Sequence, residues 1–335
     1  MGWVRKSRVW RQASLPGWRL GPILLVLGSG CGRVDGFTPV TTQGGAVVNL
    51  FTVELILAFL VSGGVAAAVC YAMVRFRDRP GAPEPAQIHG NTKLEIGWTV
   101  APALLLVVLF TLMVRTMSAV EAEATSPLRV RVIGHQWWWE YQYPELGIVT
   151  ANELHLPVGQ PVRLELESAD VVHNFWIPQF GWKKDNTPNH VTIMNVVVDQ
   201  AGVYDGACTE FCGMQHAWMR IRTVATPPDQ FAAWVARSQQ PATATAARGT
   251  QLFQQNTCVS CHAIQGVSDA RVGPDLSHFG SRATIGSGVL ENTPDQLAAW
   301  IANPQQIKPG ALMPAYPDLP PDDLRALVDY LEGLQ

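Results

Sequence analysis

Two stretches near the start of the chain are almost free of charge. From Ala46 to Val74 the one charged residue is Glu54, and from Ile96 to Val114 there is none. Each is long enough for the roughly 20 residues a membrane helix needs. This predicts a transmembrane hairpin over 45–120, not two buried helices of a soluble core. The connection carries Arg75, Arg77, Arg79 and Lys93 against Asp78 and Glu84. That basic excess places the connection in the cytoplasm. The segments on either side are then on the extracytoplasmic face of a bacterial inner (cell) membrane.

After Ser126 the apolar period changes. "LRVRVIG" and "VRLELES" alternate apolar and polar, and "IMNVVVD" is a β-branched run, with Pro and Gly between them. Such runs read as short strands. They predict a small all-β antiparallel sandwich over 126–226. "ATPPDQ" closes it, and a short helix and linker follow over 227–247. "SQQPATATAARG" within that span is small and polar, and a flexible chain of its length would reach about 20 Å. The last section, 248–335, is helical. Thr293 caps "TPDQLAAWIA" with Pro294 in the first turn. In "DDLRALVDYL", Leu324, Leu327, Val328 and Leu331 share one face.

Composition adds exclusions. The net charge of −3 over 335 residues gives a nucleic-acid partner nothing to hold. Six cysteines are too few for a disulfide scaffold. Arg5, Lys6, Arg8, Arg11 and Arg19 precede the short apolar run "PILLVLGSG", which reads as a signal peptide over 1–30. Its "LGSGC" ending resembles a bacterial lipoprotein signal with a lipid on Cys31. Gly28 stands where a larger aliphatic residue is expected, and Leu27 comes one place early. An ordinary signal peptide and an uncleaved tail therefore stay open.

Two cysteine clusters carry chemistry. "CVSCH", Cys258 to His262, is the pattern of c-type haem attachment, with two thiols for thioethers and the adjacent imidazole for the iron. A plain redox CxxC would leave His262 without a purpose. A second axial ligand should lie downstream. Met313 in "GALMPAYP" fits better than His278, and a methionine opposite a histidine raises the haem potential. With "VGPDLSHFG" between them, the region resembles an all-α class I cytochrome c domain.

"CTEFCGMQHAWM", Cys208 to Met219, sets two thiols, an imidazole and a thioether close together. A Cys208–Cys212 disulfide is one reading in an exported domain. A Cys₂His₂ zinc site with His173 is another. Neither uses Met219. Thiolate and thioether ligands with imidazole select copper. Two thiolates can bridge two ions, each ion then needing one imidazole and one weak ligand. His173 in "DVVHNFWIP" supplies the second imidazole, so the count is complete for a dinuclear copper centre.

On these motifs the chain resembles subunit II of haem–copper cytochrome c oxidases over roughly residues 45 to 225. "LEIGWTVAPALLL", "GHQWWWEYQYP", "DVVHNFWIP", "GWKKDNTP" and "CTEFCGMQH" follow in family order, and the haem domain after them resembles the bacterial fused form. The resemblance implies a cupredoxin-like fold for the sandwich. It implies copper ligation by His173, Cys208, Cys212, His216, Met219 and the main-chain carbonyl of Glu210, whose side chain would also serve a magnesium ion shared with subunit I. It gives Trp137 an electron-input role, although Trp137 and Trp139 on one face of a strand could be core aromatics. It places Glu95 at the mouth of a proton-uptake channel, where a carboxylate could also be merely interfacial. One departure is "PNH" at Pro188 to His190, where the family has Pro-Gly-Arg. The expected protein is an electron-input subunit of a respiratory terminal oxidase, coupled to proton translocation. An external cytochrome c or upstream respiratory complex would feed its haem c, and the copper pair would feed the oxygen-reducing subunit I. The alternatives are the copper subunit of a nitric oxide reductase and a stand-alone membrane-anchored electron carrier.

Overall fold

The first apolar stretch forms α1, Thr42–Arg75. It starts where the Thr41 side chain accepts the Gly44 N–H at 2.9 Å. The second forms α2, Thr92–Val120, with Pro102 inside it. Its cap is Asn91, whose Oδ1 accepts the Leu94 N–H at 3.2 Å. Both helices are long and apolar enough to cross a membrane, and their apolar windows are wholly uncovered by the rest of the protein. They pack against each other as a hairpin. The computed structural model describes residues 36–335 except 82, 85, 123–127 and 243–245. The signal segment and Cys31 lie outside the described residues.

The base of the hairpin is riveted to a β-sandwich. Thr41 Oγ1 donates to the Phe180 carbonyl at 2.8 Å, and the Asp199 N–H donates to the Val40 carbonyl at 2.8 Å. Gly181, at φ +95°, leaves no room for a side chain, since a Cβ there would lie 2.4 Å from Gly44 Cα. At the end of α2, Glu121 pairs with Lys184 at 2.6 Å.

One sheet runs in the order β3 (Ile148–Ala151), β2 (Trp138–Tyr143), β1 (Leu128–His135), β5 (Pro161–Ser168), β8 (Thr192–Val197). The other runs β4 (Glu153–Pro157), β10 (Arg220–Thr226), β9 (Gly202–Cys208), β6 (His173–Trp176), β7 (Lys183–Asn186). The alternation seen in the sequence puts Val130, Val132, Leu164 and Leu166 inside. The expectation of a purely antiparallel sandwich fails at two pairings: β1 with β5 and β4 with β10 are parallel. The chain leaves one sheet, runs through the other and returns in its original direction, a crossover that local periodicity cannot reveal. "PNH" forms a tight turn between β7 and β8, with Asn189 at φ +59°. Trp137 is also placed differently from the sequence reading. It sits in the turn between β1 and β2, while Trp139 alone of that pair is a core aromatic.

The helix α3 (Pro228–Ser238) belongs to the sandwich. Phe231, Trp234 and Val235 pack on its core, and Trp234 stacks on His155 at 4.3 Å. The C-terminal domain is built from α4 (Ala247–Gln255), the small hairpin β11 (Thr284–Ile285) and β12 (Leu290–Glu291), α5 (Pro294–Ala302), α6 (Pro304–Ile307) and α7 (Pro321–Glu332). Its core joins Phe253, Leu297, Ile301, Leu327 and Leu331. Thr293 caps α5 by accepting the Gln296 N–H at 3.4 Å. Gly249 lets α4 lie directly on α7, because a Cβ there would meet Tyr330 Cβ at 2.3 Å.

Candidate metal centre and cofactor cavity

Strand β9 ends on Cys208, and the chain loops through Cys212 and a 3-10 turn at His216–Trp218 before β10. Antiparallel pairing of β6 with β9 sets Phe175 opposite Cys208 and so brings His173, at the head of β6, to the same end. The donor atoms converge. Cys208 Sγ lies 3.8 Å from Cys212 Sγ and 3.8 Å from His173 Nδ1. Cys212 Sγ lies 3.7 Å from His216 Nδ1 and 3.9 Å from Met219 Sδ. The Glu210 carbonyl is 3.3 Å from Cys208 Sγ. Both cysteines, His173 and Met219 are buried, whereas the Glu210 side chain is exposed.

The two sulfurs are far beyond the roughly 2.05 Å of a disulfide, so this structure has two thiols. Contact with Cys212 holds Cys208 well below the ordinary thiol range, with the His173 imidazole acting the same way. Contact with Cys208, together with burial, pushes Cys212 far above it. Two adjacent thiolates cannot both be charged here without cations to neutralise them.

Packing makes the pocket specific. A Cβ on Gly134 would lie 2.7 Å from His173 Cδ2, so only glycine admits the ring. The sequence reading missed Asp170. Its Oδ1 sits 2.8 Å from His173 Nε2, and its Oδ2 accepts the Gln136 N–H at 2.6 Å. Burial opposes its ionisation, but His173 and the two backbone N–H groups of Val171 and Gln136 hold it below the usual carboxylate range. The available signal was a carboxylate three residues before a candidate histidine ligand. From the other side, the Cys212 carbonyl accepts Trp137 Nε1–H at 3.0 Å and the Gln136 side-chain amide at 2.7 Å.

Trp137 also lines a cavity of about 250 Å³, together with Cys258, Cys261, His262 and Met313. His278 lines a separate surface pocket. His262 Nδ1 lies 2.8 Å from the Pro274 carbonyl, which leaves Nε2 free. Burial lowers its pKa and keeps the ring neutral, as a metal ligand must be. A Cβ on Gly273 would lie 2.7 Å from His262 Cε1. Arg282 also lines the cavity, and its buried Nε has no hydrogen-bond partner. An apolar cavity with two free thiols, a neutral imidazole and a thioether on its walls, and an unmatched guanidinium edge, fits a haem with its anionic propionates.

Glu95 stands apart from both sites, in the first turn of α2. Its carboxylate accepts the Asn91 N–H at 3.3 Å.

Two membrane-length helices, a strand-rich domain with clustered soft ligands and a helical domain with a haem-attachment cavity define a membrane-anchored electron-transfer chain. Family comparison is specific. The pattern described as "Cytochrome C oxidase subunit II, transmembrane domain" matches residues 37–114, "Cytochrome C oxidase subunit II, periplasmic domain" matches 147–226, and "Cytochrome c" matches 246–335. Cytochrome c oxidase subunit 2 of Alkalihalophilus pseudofirmus is 36% identical, with 98% of this chain and 99% of the relative covered. That of Bacillus subtilis is 35% identical, over 94% and 96%. A crystal structure of the periplasmic domain of subunit II of the Bradyrhizobium japonicum cytochrome oxidase covers 35% of this chain and 96% of its own, at 29% identity and a TM-score of 0.34. The chain belongs to the cytochrome c oxidase subunit II family and carries a fused cytochrome c domain. It is an electron-input subunit of a haem–copper oxidase, anchored in the membrane, with one copper-binding and one haem-binding domain. It associates with subunit I and other oxidase subunits.

Proposed function

We propose that electrons enter at a haem c held by Cys258, Cys261, His262 and Met313. They leave through a dinuclear copper centre held by His173, Cys208, Cys212, His216, Met219 and the Glu210 carbonyl. The observation that carries the copper reading is the pairing of donors: each thiol has its own imidazole, at 3.8 Å and 3.7 Å. Among the described residues, the ligand atoms of His173, Cys208 and Cys212 lie within 4.8 Å of one another, and His216 stands outside that group. Two ions sharing two sulfurs use such a set fully, whereas one tetrahedral zinc would need all four donors around one point.

When bound, the two groups would supply one-electron chemistry, with no bond made or broken. The residues of the chain do the rest. Cys258 and Cys261 hold the cofactor covalently, and the Pro274 carbonyl aims His262. Trp137 lines the cavity on one side and hydrogen-bonds the backbone of a copper ligand on the other, which makes it the contact between the two sites. Electron paramagnetic resonance of the intact protein should show hyperfine splitting from two equivalent copper nuclei. A spectrum of one isolated copper, or stoichiometric zinc, would overturn the reading.

The remaining assignments follow the same logic. The exposed Glu210 carboxylate is the chain's contribution to a magnesium site against subunit I. The basic connection between α1 and α2 faces the cytoplasm, and both redox domains face the periplasm of the bacterial inner membrane. The external donor is a cytochrome c or the upstream respiratory complex. Glu95 then lies at the cytoplasmic end of α2 as the proton-uptake entrance. Glu95→Gln separates this role from capping, because an amide oxygen still accepts the Asn91 N–H but carries no proton. Slow turnover in the assembled oxidase with unchanged copper and haem spectra is expected, and normal turnover would leave Glu95 with the cap alone.

A further inference from the structure

The haem cavity is not made by the haem domain alone. Trp137, Asn152 and Gln215 of the sandwich line it together with His262, Arg282 and Met313. Two buried side chains of the sandwich hold this shared wall shut, on separate segments of the haem domain. Glu153, 3% exposed, accepts the Ala283 N–H at 2.9 Å, the Thr284 N–H at 3.0 Å and the Thr284 hydroxyl at 3.1 Å through one carboxylate oxygen. Gln215, 2% exposed, donates to the Lys308 carbonyl at 3.2 Å and the Pro309 carbonyl at 3.1 Å. The first segment follows Arg282, and the second leads into Met313.

Each latch pairs a buried side chain of the sandwich with main-chain groups of the haem domain. A buried carboxylate is tolerated only where donors surround it; here three hydrogen-bond donors come from the other domain, and Arg222 of the sandwich stands 3.8 Å from the same oxygen. Gln215 binds two main-chain carbonyls that undocking would have to rehydrate. Beside the Gln215 latch, Gly310 lies against the Met214 side chain, and a Cβ there would be 2.5 Å from its Sδ.

We infer that Glu153 and Gln215 are positioning residues that dock the haem domain on the sandwich, so that the haem cavity is completed by, and held against, Trp137. The inference rests on the haem and copper reading above. It also alters the picture of a flexible tether. A linker alone supplies an effective concentration in the millimolar range. The latches turn that nearness into one fixed arrangement with water excluded from the shared wall.

The test uses the full chain in the assembled oxidase, with Glu153→Ala, Glu153→Gln and Thr284→Val. Glu153 is outside the metal-ligand set, so copper and haem spectra should be retained. In Glu153→Ala the docked population should fall by about tenfold or more, the loss expected when charge-assisted hydrogen bonds are removed. Amide exchange at Ala283 and Thr284 then quickens by the same factor, and haem-to-copper transfer after flash reduction slows. The haem midpoint potential falls as water reaches the opened wall, because burial is one of the levers that set it. Glu153→Gln, which keeps an acceptor, should recover most of each change. Thr284→Val deletes one donor and should move all three readouts the same way by about threefold. It decides the matter if Glu153→Ala fails to assemble. Unchanged exchange and potential in these variants would overturn the inference while leaving the two-centre reading intact. A wild-type protein without the copper or haem signals would instead overturn that reading, and this inference with it.

Discussion

The copper and haem sites solve opposite problems. At the proposed copper site the donors touch: five residues from β6, the end of β9 and the following loop meet at 3.7–3.9 Å, four of them buried and His216 half-buried. At the haem site the ligands stand apart around a cavity of about 250 Å³, and two domains supply its walls. A small ion needs side chains already in contact, with the fold bearing the repulsion between them. A large cofactor needs space, a free edge and something to close over it. The consequence is unequal robustness. Losing one donor at the copper site leaves its partners buried and unmatched, whereas changes at the haem wall are graded.

The largest test of that difference is Cys212→Ser. It removes one of the two sulfurs that the proposed copper pair would share, and the spectrum of two equivalent copper nuclei should vanish along with turnover, while the haem absorption stays. A retained delocalised signal would break the comparison at its root. A paired substitution comes next. Gly134→Ala drives a Cβ to 2.7 Å from His173, and Gly273→Ala does the same to His262. Overpacking of this kind costs typically 1–3 kcal/mol. Gly134→Ala should disturb the copper spectrum alone and Gly273→Ala the haem spectrum alone, each read by electron paramagnetic resonance and absorption. Crossed effects would mean that the sites are not built independently.

What could be read from the chain divides along the same line. That Cys258, Cys261, His262 and Met313 line one cavity is legible because a c-type attachment pattern is local and the thioether sits in its own short motif. Four of the copper donors lie within twelve residues of sequence, and the hairpin is legible from charge alone. Asp170, Glu153, Gln215 and Lys308 were not. Glu153 in "ANELHLP" looks like the solvated face of a strand, and its hydrogen-bond partners lie in a domain 130 residues away. Trp137 reads as a strand residue in sequence because the alternation of β1 runs on into its turn. The parallel pairings depend on which sheet each strand joins, and no local period records that.

Lys308 sharpens the haem side. It is 3% exposed and donates to the Trp137 carbonyl at 3.1 Å. Burial, aided by Arg220 and opposed by Cys212, lowers its pKa from 10.5 to about 7. The unfolded chain therefore binds the proton more tightly between these values. The penalty is fully present below pH 7, shrinks as pH rises and is gone above 10.5. Thermal stability of the haem domain, followed by its absorption, should rise over that window. Lys308→Met should flatten the dependence and stabilise the domain at neutral pH. An unaltered slope in Lys308→Met would show that the ammonium is not sheltered by the docked wall.

The smallest expected effect concerns what stands behind each histidine. His173 Nε2 meets a carboxylate, Asp170, at 2.8 Å, whereas His262 Nδ1 meets a neutral carbonyl at 2.8 Å. An anion behind an imidazole fixes the tautomer and makes the ring a stronger donor, and such outer partners are worth about 10- to 100-fold in metal affinity. The copper site needs this more, since its ligands must be held against the repulsion of two thiolates. A haem held through Cys258 and Cys261 would stay tied by covalent bonds whatever His262 does. Asp170→Asn keeps the size and an acceptor oxygen but removes the charge. Copper affinity measured by competition with a chelator should fall by about tenfold, with the two-nucleus spectrum retained and the haem potential unmoved. Because Asp170 also holds the Gln136 N–H beside Trp137, an Asp170→Asn protein with normal affinity but slowed haem-to-copper transfer would reassign the residue from supporting the metal to setting that turn.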